Sequence, residues 1–435
     1  MNTRLHLTLI LGAGLLTSQS IFAETLMQIY DLALENDPSF KSASATRNSV
    51  NESINISRGN FLPNIGLNAN YSDNDSKSNV FNPFTNTIGG DPILRYSITL
   101  AQPIYNRSNS TTHSQNKNLA KQADADFETA RQALIIRVAE QYFDVLSARD
   151  TLDFNRAEKS AISRQLEQTK QRFDVGLVAI TDVHEAQARY DLSVAQSIEA
   201  ENDLNNRLEA LRAITGQYHD ELSPLMKQTP LLPPEPDSIE AWTKTALEKN
   251  LSLTAAQFRV EQLRNAVGTT RAGHHPTLDF TTRYSDSDAA GAPSSTEYRL
   301  ELNLNLFAGG TTSATVRQAL HNLTQAQETL EERRRTTQQN ARSAYLRAQA
   351  GISLVKAFKQ AVVSSESRLK ASEAGFEVGT RTTVDVLNAR QDLFRAQKDY
   401  SQSRYRYVLD MLRLKQAAGL LTVKDIENVN GWLTL

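Results

Sequence analysis

All twelve prolines of this 435-residue chain fall at positions 38, 63, 83, 92, 103, 224, 230, 233, 234, 236, 276 and 293. None lies in 104–223 or 294–435. Proline removes a helix hydrogen bond and clashes with the preceding turn, so two stretches of over a hundred residues without it are where very long helices can form. Glycine agrees, since the first stretch holds only Gly176 and Gly216. Both are rich in Ala, Gln, Arg, Glu and Leu, which favour helix. Apolar residues recur at helical spacing: Ala123, Phe127, Ala130, Leu134, Val138 and Tyr142, then Val386, Ala389, Leu393, Ala396, Tyr400, Tyr407, Met411 and Leu414. The narrow stripe, rich in small residues, predicts close-packed coiled coils. A helix over 106–174 would be about 100 Å long at 1.5 Å per residue. Companions are expected over 180–214, 310–377 and 380–418.

The chain also repeats itself. The run FDVGLVAITDVHEA at 173–186 returns as FEVGTRTTVDVLNA at 376–389, and Tyr142 and Gly216 meet Tyr345 and Gly419 at the same offset of 203. Upstream the offset becomes 213, pairing Pro63 with Pro276, which fits an insertion in the loop near 76–92. The expected organisation is a first repeat over 24–223, a stiff exposed Pro-rich linker over 224–237, a second repeat over 238–419 and a C-terminal segment over 420–435.

Each repeat carries two alternating segments, near 62–75 and 93–104 and near 276–286 and 297–307. In the last, Tyr298, Leu300, Leu302, Leu304 and Leu306 alternate with Arg299, Glu301, Asn303 and Asn305. Period-two segments of about ten residues between polar loops are the pattern of barrel strands. A soluble sheet covered on one face gives the same pattern. Export decides for the barrel. Residues 1–23 read as a signal peptide, with Arg4, an apolar run from Leu7 to Leu16 and a small residue, Ala23, before Glu24. Beyond it no apolar run is long enough for a membrane helix, so any membrane crossing must use strands. Four strands cannot close a barrel, for which about eight is the smallest workable count. The strands must come from several chains, and closure alone allows two, three or four.

The rest of the composition excludes chemistry. There is no cysteine, hence no disulfide, thiolate metal site or cysteine nucleophile. A net charge of −2 gives no electrostatic case for nucleic acid. No P-loop, GxSxG or HExxH motif occurs. His274 and His275 have no carboxylate cluster near them in sequence, and Arg333, Arg334 and Arg335 read as a solvated helix face. No catalytic residue, metal or cofactor is expected.

The runs ETLMQIYD at 24–31, RFDVGLVAITDV at 172–183, KQAVVS at 359–364 and VGTRTTVDVL at 378–387 resemble the outer membrane efflux protein family of TolC-type channel-tunnels, over nearly the whole mature chain. The resemblance implies an α+β membrane protein: a trimer with a shared twelve-stranded barrel, four strands per chain, continued by a twelve-helix periplasmic tunnel. It implies a passive exit duct for multidrug efflux and type I secretion, without enzymatic activity, in the outer membrane of a Gram-negative bacterium. Its partners would be a periplasmic adaptor (membrane fusion) protein and an inner-membrane pump of the RND or ABC class. The chain ends at Leu435 without the long polar tail of the fullest members, a segment dispensable to barrel and tunnel.

The turns at Val175-Gly176-Leu177 and Val378-Gly379-Thr380 end long helices, and the resemblance makes them adaptor-docking tips. Thr181, Asp182, Arg381 and Asp385, just beyond, would otherwise be solvated helix-end groups. The resemblance makes them an entrance gate. Asp385 matches a constriction ring, whose three carboxylates would repel, attract cations and raise one another's pKa. Arg381 and Thr181 match a linking pair. Asn388 stands where a second ring aspartate is expected, and Phe376 where a tyrosine hydroxyl would bond Asp182. One acidic ring and a looser lock are expected. A constitutive diffusion porin has no use for helices of this length. A barrel-anchored structural coiled coil or adhesin predicts single rods rather than hairpins folded back at the two glycines.

Overall fold

A computed structural model describes residues 23–73, 93–288 and 293–434. The signal peptide, but for Ala23, and the loop near 76–92 lie outside these residues. The chain begins with helices α1 (Leu26–Asn36) and α2 (Pro38–Gly59), strands β1 (Asn64–Ser72) and β2 (Ile93–Asn106), the 68-residue helix α3 (Arg107–Asp174) and α4 (Ile180–Thr215). The same order of elements follows in α5 (Ile239–Lys249), α6 (Leu251–Arg271), β3 (Thr277–Ser287), β4 (Ser295–Asn303), the 67-residue α7 (Thr311–Glu377) and α8 (Thr383–Ala417), with a short α9 (Val423–Asn430) after them.

Helix starts are written in side chains. Thr25 and Gln28 form a reciprocal capping box at α1. Asp37 caps α2, with Pro38 in the first turn. Asn106 closes β2 and caps α3 in the same residue, accepting from the Ser108 N–H at 3.0 Å.

The strands form one antiparallel sheet in the order β1-β2-β3-β4. Its register gathers large apolar side chains on one face. Leu67 pairs with Ile98, Ile98 with Tyr284, and on the far side Phe280 pairs with Leu300 and Leu278 with Leu302. Paired residues share a face, so Ile65, Leu67, Ile98, Leu100, Phe280, Leu300 and Leu302 make one band. The other face carries Asn68, Ser97, Thr99, Arg283, Arg299 and Glu301. The apolar face is uncovered in the single chain, with Leu67 74% and Leu300 67% exposed. β1 and β4 each have one unpaired edge. β4 ends at Asn303, short of the expected 307, and Leu304 and Leu306 lie beyond it. The chain there is turning into α7 through Gly309 and Gly310, both at positive φ.

At the other end of the sheet run two helical hairpins, α3–α4 and α7–α8, with α3 also packed along α8. Their best-packed zone lies partway along the helices. Leu134, Val138, Tyr142 and Phe143 of α3 meet Ile29 of α1, Tyr405, Val408 and Leu412 of α8, and Ile426 of α9. The Phe143 and Tyr405 rings stack at 5.5 Å. The Pro-rich segment over 224–237 has many exposed residues and is also tied as a strap across these helices. Just before the segment, Tyr142 donates to the Ser223 carbonyl at 2.7 Å and to the Glu24 carbonyl at 3.1 Å. Tyr407 donates to Leu232 O at 2.7 Å, Arg404 to Met226 O at 3.0 Å, and Tyr345 to the Asp237 carboxylate at 2.5 Å. Buried hydroxyls need partners, and the strap supplies them.

The left-handed glycines differ in what surrounds them. A Cβ on Gly419 would lie 2.1 Å from the Lys249 carbonyl oxygen, whereas one on Gly379 would meet open space. Gly419→Ala is therefore expected to lower stability by about 3 kcal/mol or more, through a backbone collision. Gly379→Ala is expected to cost only about 1–2 kcal/mol, the price of a left-handed alanine. Thermal unfolding of the purified variants, followed by circular dichroism, checks the ranking.

Candidate entrance at the helix tips

Both hairpins turn in the same way. At the end of α3 the Gly176 N–H donates to Phe173 O and the Leu177 N–H to Arg172 O, each at 2.8 Å. At the end of α7 the Gly379 N–H donates to Phe376 O at 3.2 Å and the Thr380 N–H to Gly375 O at 2.8 Å. These paired bonds around a glycine at φ 77° in each turn are Schellman motifs, which satisfy the last carbonyls of the long helices. The residues beside the glycines project outward, with Val175 69%, Leu177 73% and Val378 76% exposed. Each tip is thus a rigid turn capped by bare apolar side chains.

The aspartates beyond the turns cap their own helices. Asp182 accepts from the Ala179 N–H at 3.3 Å. Asp385 is held harder: its Oδ2 accepts from the Thr382 N–H and hydroxyl, both at 2.9 Å, while the Asp385 N–H donates to Thr382 Oγ1 at 3.2 Å. This box explains why α8 starts at Thr383 and not at the expected 380. The Thr382 backbone bond, then its hydroxyl, and the charges of Arg381 and Arg368 hold the Asp385 carboxyl below the usual range. Within one protomer the pull is thus downward, opposite to the upward push expected of a ring.

Phe376 does not leave a gap. The Arg172 guanidinium lies 4.6 Å from its ring centroid, a cation–π contact that joins α3 to α7. Arg381 and Thr181 are not joined within a protomer among the described residues. The Arg381 N–H donates to Gly375 O at 3.2 Å, and its stem lies where a Cβ of Gly375 would be, 2.6 Å from Arg381 Cγ. Gly375 therefore makes room for Arg381. Sequence reading missed Gly375, Arg172 and two further arginines. Arg390 donates to Glu373 at 2.6 Å and to Ala161 O at 3.1 Å, tying α8 to α7 and α3. Arg189 of α4 reaches Asn388 of α8 at 3.2 Å. Pairing across about 200 residues has no local signature in the sequence.

Among the described residues no group of three His, Asp or Glu is placed to hold a metal, and His274 and His275 lie exposed at the start of β3. No described helix is long and apolar enough to cross a membrane.

Because the folded Asp385 pKa lies below its unfolded value, its cap supports α8 above the unfolded pKa and is lost as pH falls through the folded one. Thr382→Val is expected to raise the Asp385 pKa relative to the parent protein. Amide exchange across residues 383–386 should then accelerate at a higher pH, which exchange measured as a function of pH checks.

Known proteins share this construction. The family model for outer membrane efflux proteins matches the chain twice, over residues 29–217 and 242–420. The outer membrane protein TolC of Vibrio cholerae serotype O1 is 40% identical over 437 residues, covering 98% of both chains. The alkaline protease secretion protein AprF of Pseudomonas aeruginosa is 29% identical, covering 99% of this chain and 92% of its own. The crystal structure of the Campylobacter jejuni CmeC outer membrane channel superposes with a TM-score of 0.79 at 18% identity, covering 95% of this chain and 90% of that one. From the two-fold family match and the identity along almost its whole length, this chain belongs to the outer membrane efflux protein family.

Proposed function

We propose that the protein is a passive, gated exit duct of the outer membrane of a Gram-negative bacterium, serving multidrug efflux and type I secretion. The observation that carries this is the joining, in one chain, of an open four-stranded sheet with a bare apolar face to two hairpins built on helices of 68 and 67 residues. Three copies give twelve strands, enough to close a barrel with no edge left, and twelve tunnel helices below it. The recurrence of the element order in two halves is read as a gene duplication that supplies two strands and one hairpin each.

Nothing in this design supplies energy or performs a reaction, and the protein is not an enzyme. Transport is driven by an inner-membrane pump of the RND or ABC class. A periplasmic adaptor docks on the tips Val175-Gly176-Leu177 and Val378-Gly379-Thr380, whose exposed apolar side chains offer burial to a partner. The AprF relative, named for alkaline protease secretion, supports the secretion role.

The gate is read as follows. Three Asp385 carboxylates, one per subunit, line the constriction and favour cations. Arg381, unpaired with Thr181 inside a protomer, makes its link across a subunit boundary. Asp182 and Phe376 do not bond each other, and the Arg172–Phe376 contact takes over part of the closing role. Exposed polar links are individually weak. An adaptor–pump complex that binds the open form more tightly can therefore reverse them.

Single-channel conductance of the purified oligomer in planar bilayers tests the reading. A small, cation-preferring conductance that rises in Arg381→Ser is expected. A large wild-type conductance indifferent to the substitution overturns the gate, and no conductance in either overturns the duct.

A further inference from the structure

The two hairpins of one protomer touch near the entrance through few side chains, and one does more than the rest. Arg189 sits about two and a half turns into α4. Its Nη2 donates to Asn388 Oδ1 at 3.2 Å and its Nη1 makes a longer contact with Gln391 Oε1 at 3.5 Å, both on α8. Its Nε donates to Glu185 Oε1 at 3.1 Å, one turn back on its own helix. The side chain is 31% exposed, so the guanidinium is partly withdrawn from water. A planar fork with fixed donor directions fits three acceptors on two helices, which a flexible ammonium does not. Glu185 orients the fork and the two amides receive it.

We infer that Arg189 is the latch that holds α4 against α8 within each protomer, and that it sets the charge at the level of residue 388. The consequence for permeation rests on the duct reading, whereas the latch itself rests only on the geometry. An asparagine at 388 accepts the bond without bringing charge. The entrance then has an acidic level at Asp385 and, one turn further along α8, a level where a guanidinium replaces the carboxylate that a second acidic ring would need. The missing second ring and the latch are one feature: the arginine closes the hairpins mechanically where a carboxylate ring would attract cations.

The two roles separate in a double-mutant cycle on the full-length oligomer. Arg189→Ala is expected to raise single-channel conductance about twofold or more by freeing α8, with Arg189→Lys falling between it and wild type. Asn388→Asp gives the arginine a charged acceptor. With Arg189 present, that variant is expected to conduct less than wild type and to be blocked by hexaamminecobalt(III) little better, since Glu185 and the new carboxylate share one guanidinium. In the Arg189→Ala background the same substitution leaves a free carboxylate, and the blocking concentration is expected to fall about tenfold. An equal gain in block in both backgrounds overturns the inference, as does an Arg189→Ala conductance equal to that of wild type. Amide hydrogen exchange over residues 383–391 in the detergent-purified protein reads the latch without any channel. Arg189→Ala must accelerate it and Asn388→Asp must slow it, and unchanged exchange in both overturns the latch. If no variant conducts, the duct reading fails while exchange still decides the latch.

Discussion

The unpaired edges of β1 and β4 govern the rest of the structure. In hydrocarbon a backbone N–H or C=O has no water to turn to, and each orphan costs several kcal/mol. The apolar band that runs through Leu67, Ile98 and Leu300 directs this sheet into such a medium. A single chain supplies too few strands to hide its edges, so in the proposed duct closure comes from copies of the chain. Oligomerisation is thus a condition of placing the sheet in a membrane, and a sheet that closes by copying places the helices that leave it in a ring as well. Tunnel and barrel then share one symmetry axis.

That constraint fixes what the helices can do. α3 starts at Asn106, the residue that ends β2, so strand direction passes into helix direction without a flexible joint. Long helices gain little from propensity and need lateral packing along their length. The core around Tyr142, Phe143 and Tyr405, with the strap over 224–237 and α9, concentrates this packing partway along. Near the tips, polar bonds and a cation–π contact add to the packing of Val386, Leu387 and Ala389. Movement at the strapped zone would break the tyrosine bonds to the strap.

Much of this was legible in the sequence because it is periodic or local. Proline gaps bounded the helices, and alternation showed the strands and their two faces. Boundaries failed where a local device overrode the period. Leu304 and Leu306 continue the β4 alternation, but Gly309 and Gly310 take the chain into α7. The Thr382–Asp385 box starts α8 later than hydrophobic spacing suggests. Proline reports the stiffness of the strap and says nothing of what the segment lies against. Asp182, Asp385 and the tip glycines were placed by motif, whereas Arg172, Arg189 and Gly375 were not, since their partners come together only through helix packing.

At the two positions that depart from the family pattern, the side chain present finds another partner. Phe376 lacks the hydroxyl for a bond to Asp182, yet its ring face receives Arg172. Asn388 lacks the ring carboxylate, yet its amide receives Arg189. At both positions an arginine meets a neutral acceptor. An amide or a ring as acceptor does not titrate, although Glu185, which orients Arg189, is a carboxylate. A carboxylate lock weakens as pH falls. Under the proposed gate, the Arg172–Phe376 and Arg189–Asn388 contacts would tie the closed state less to pH than a lock of carboxylates alone.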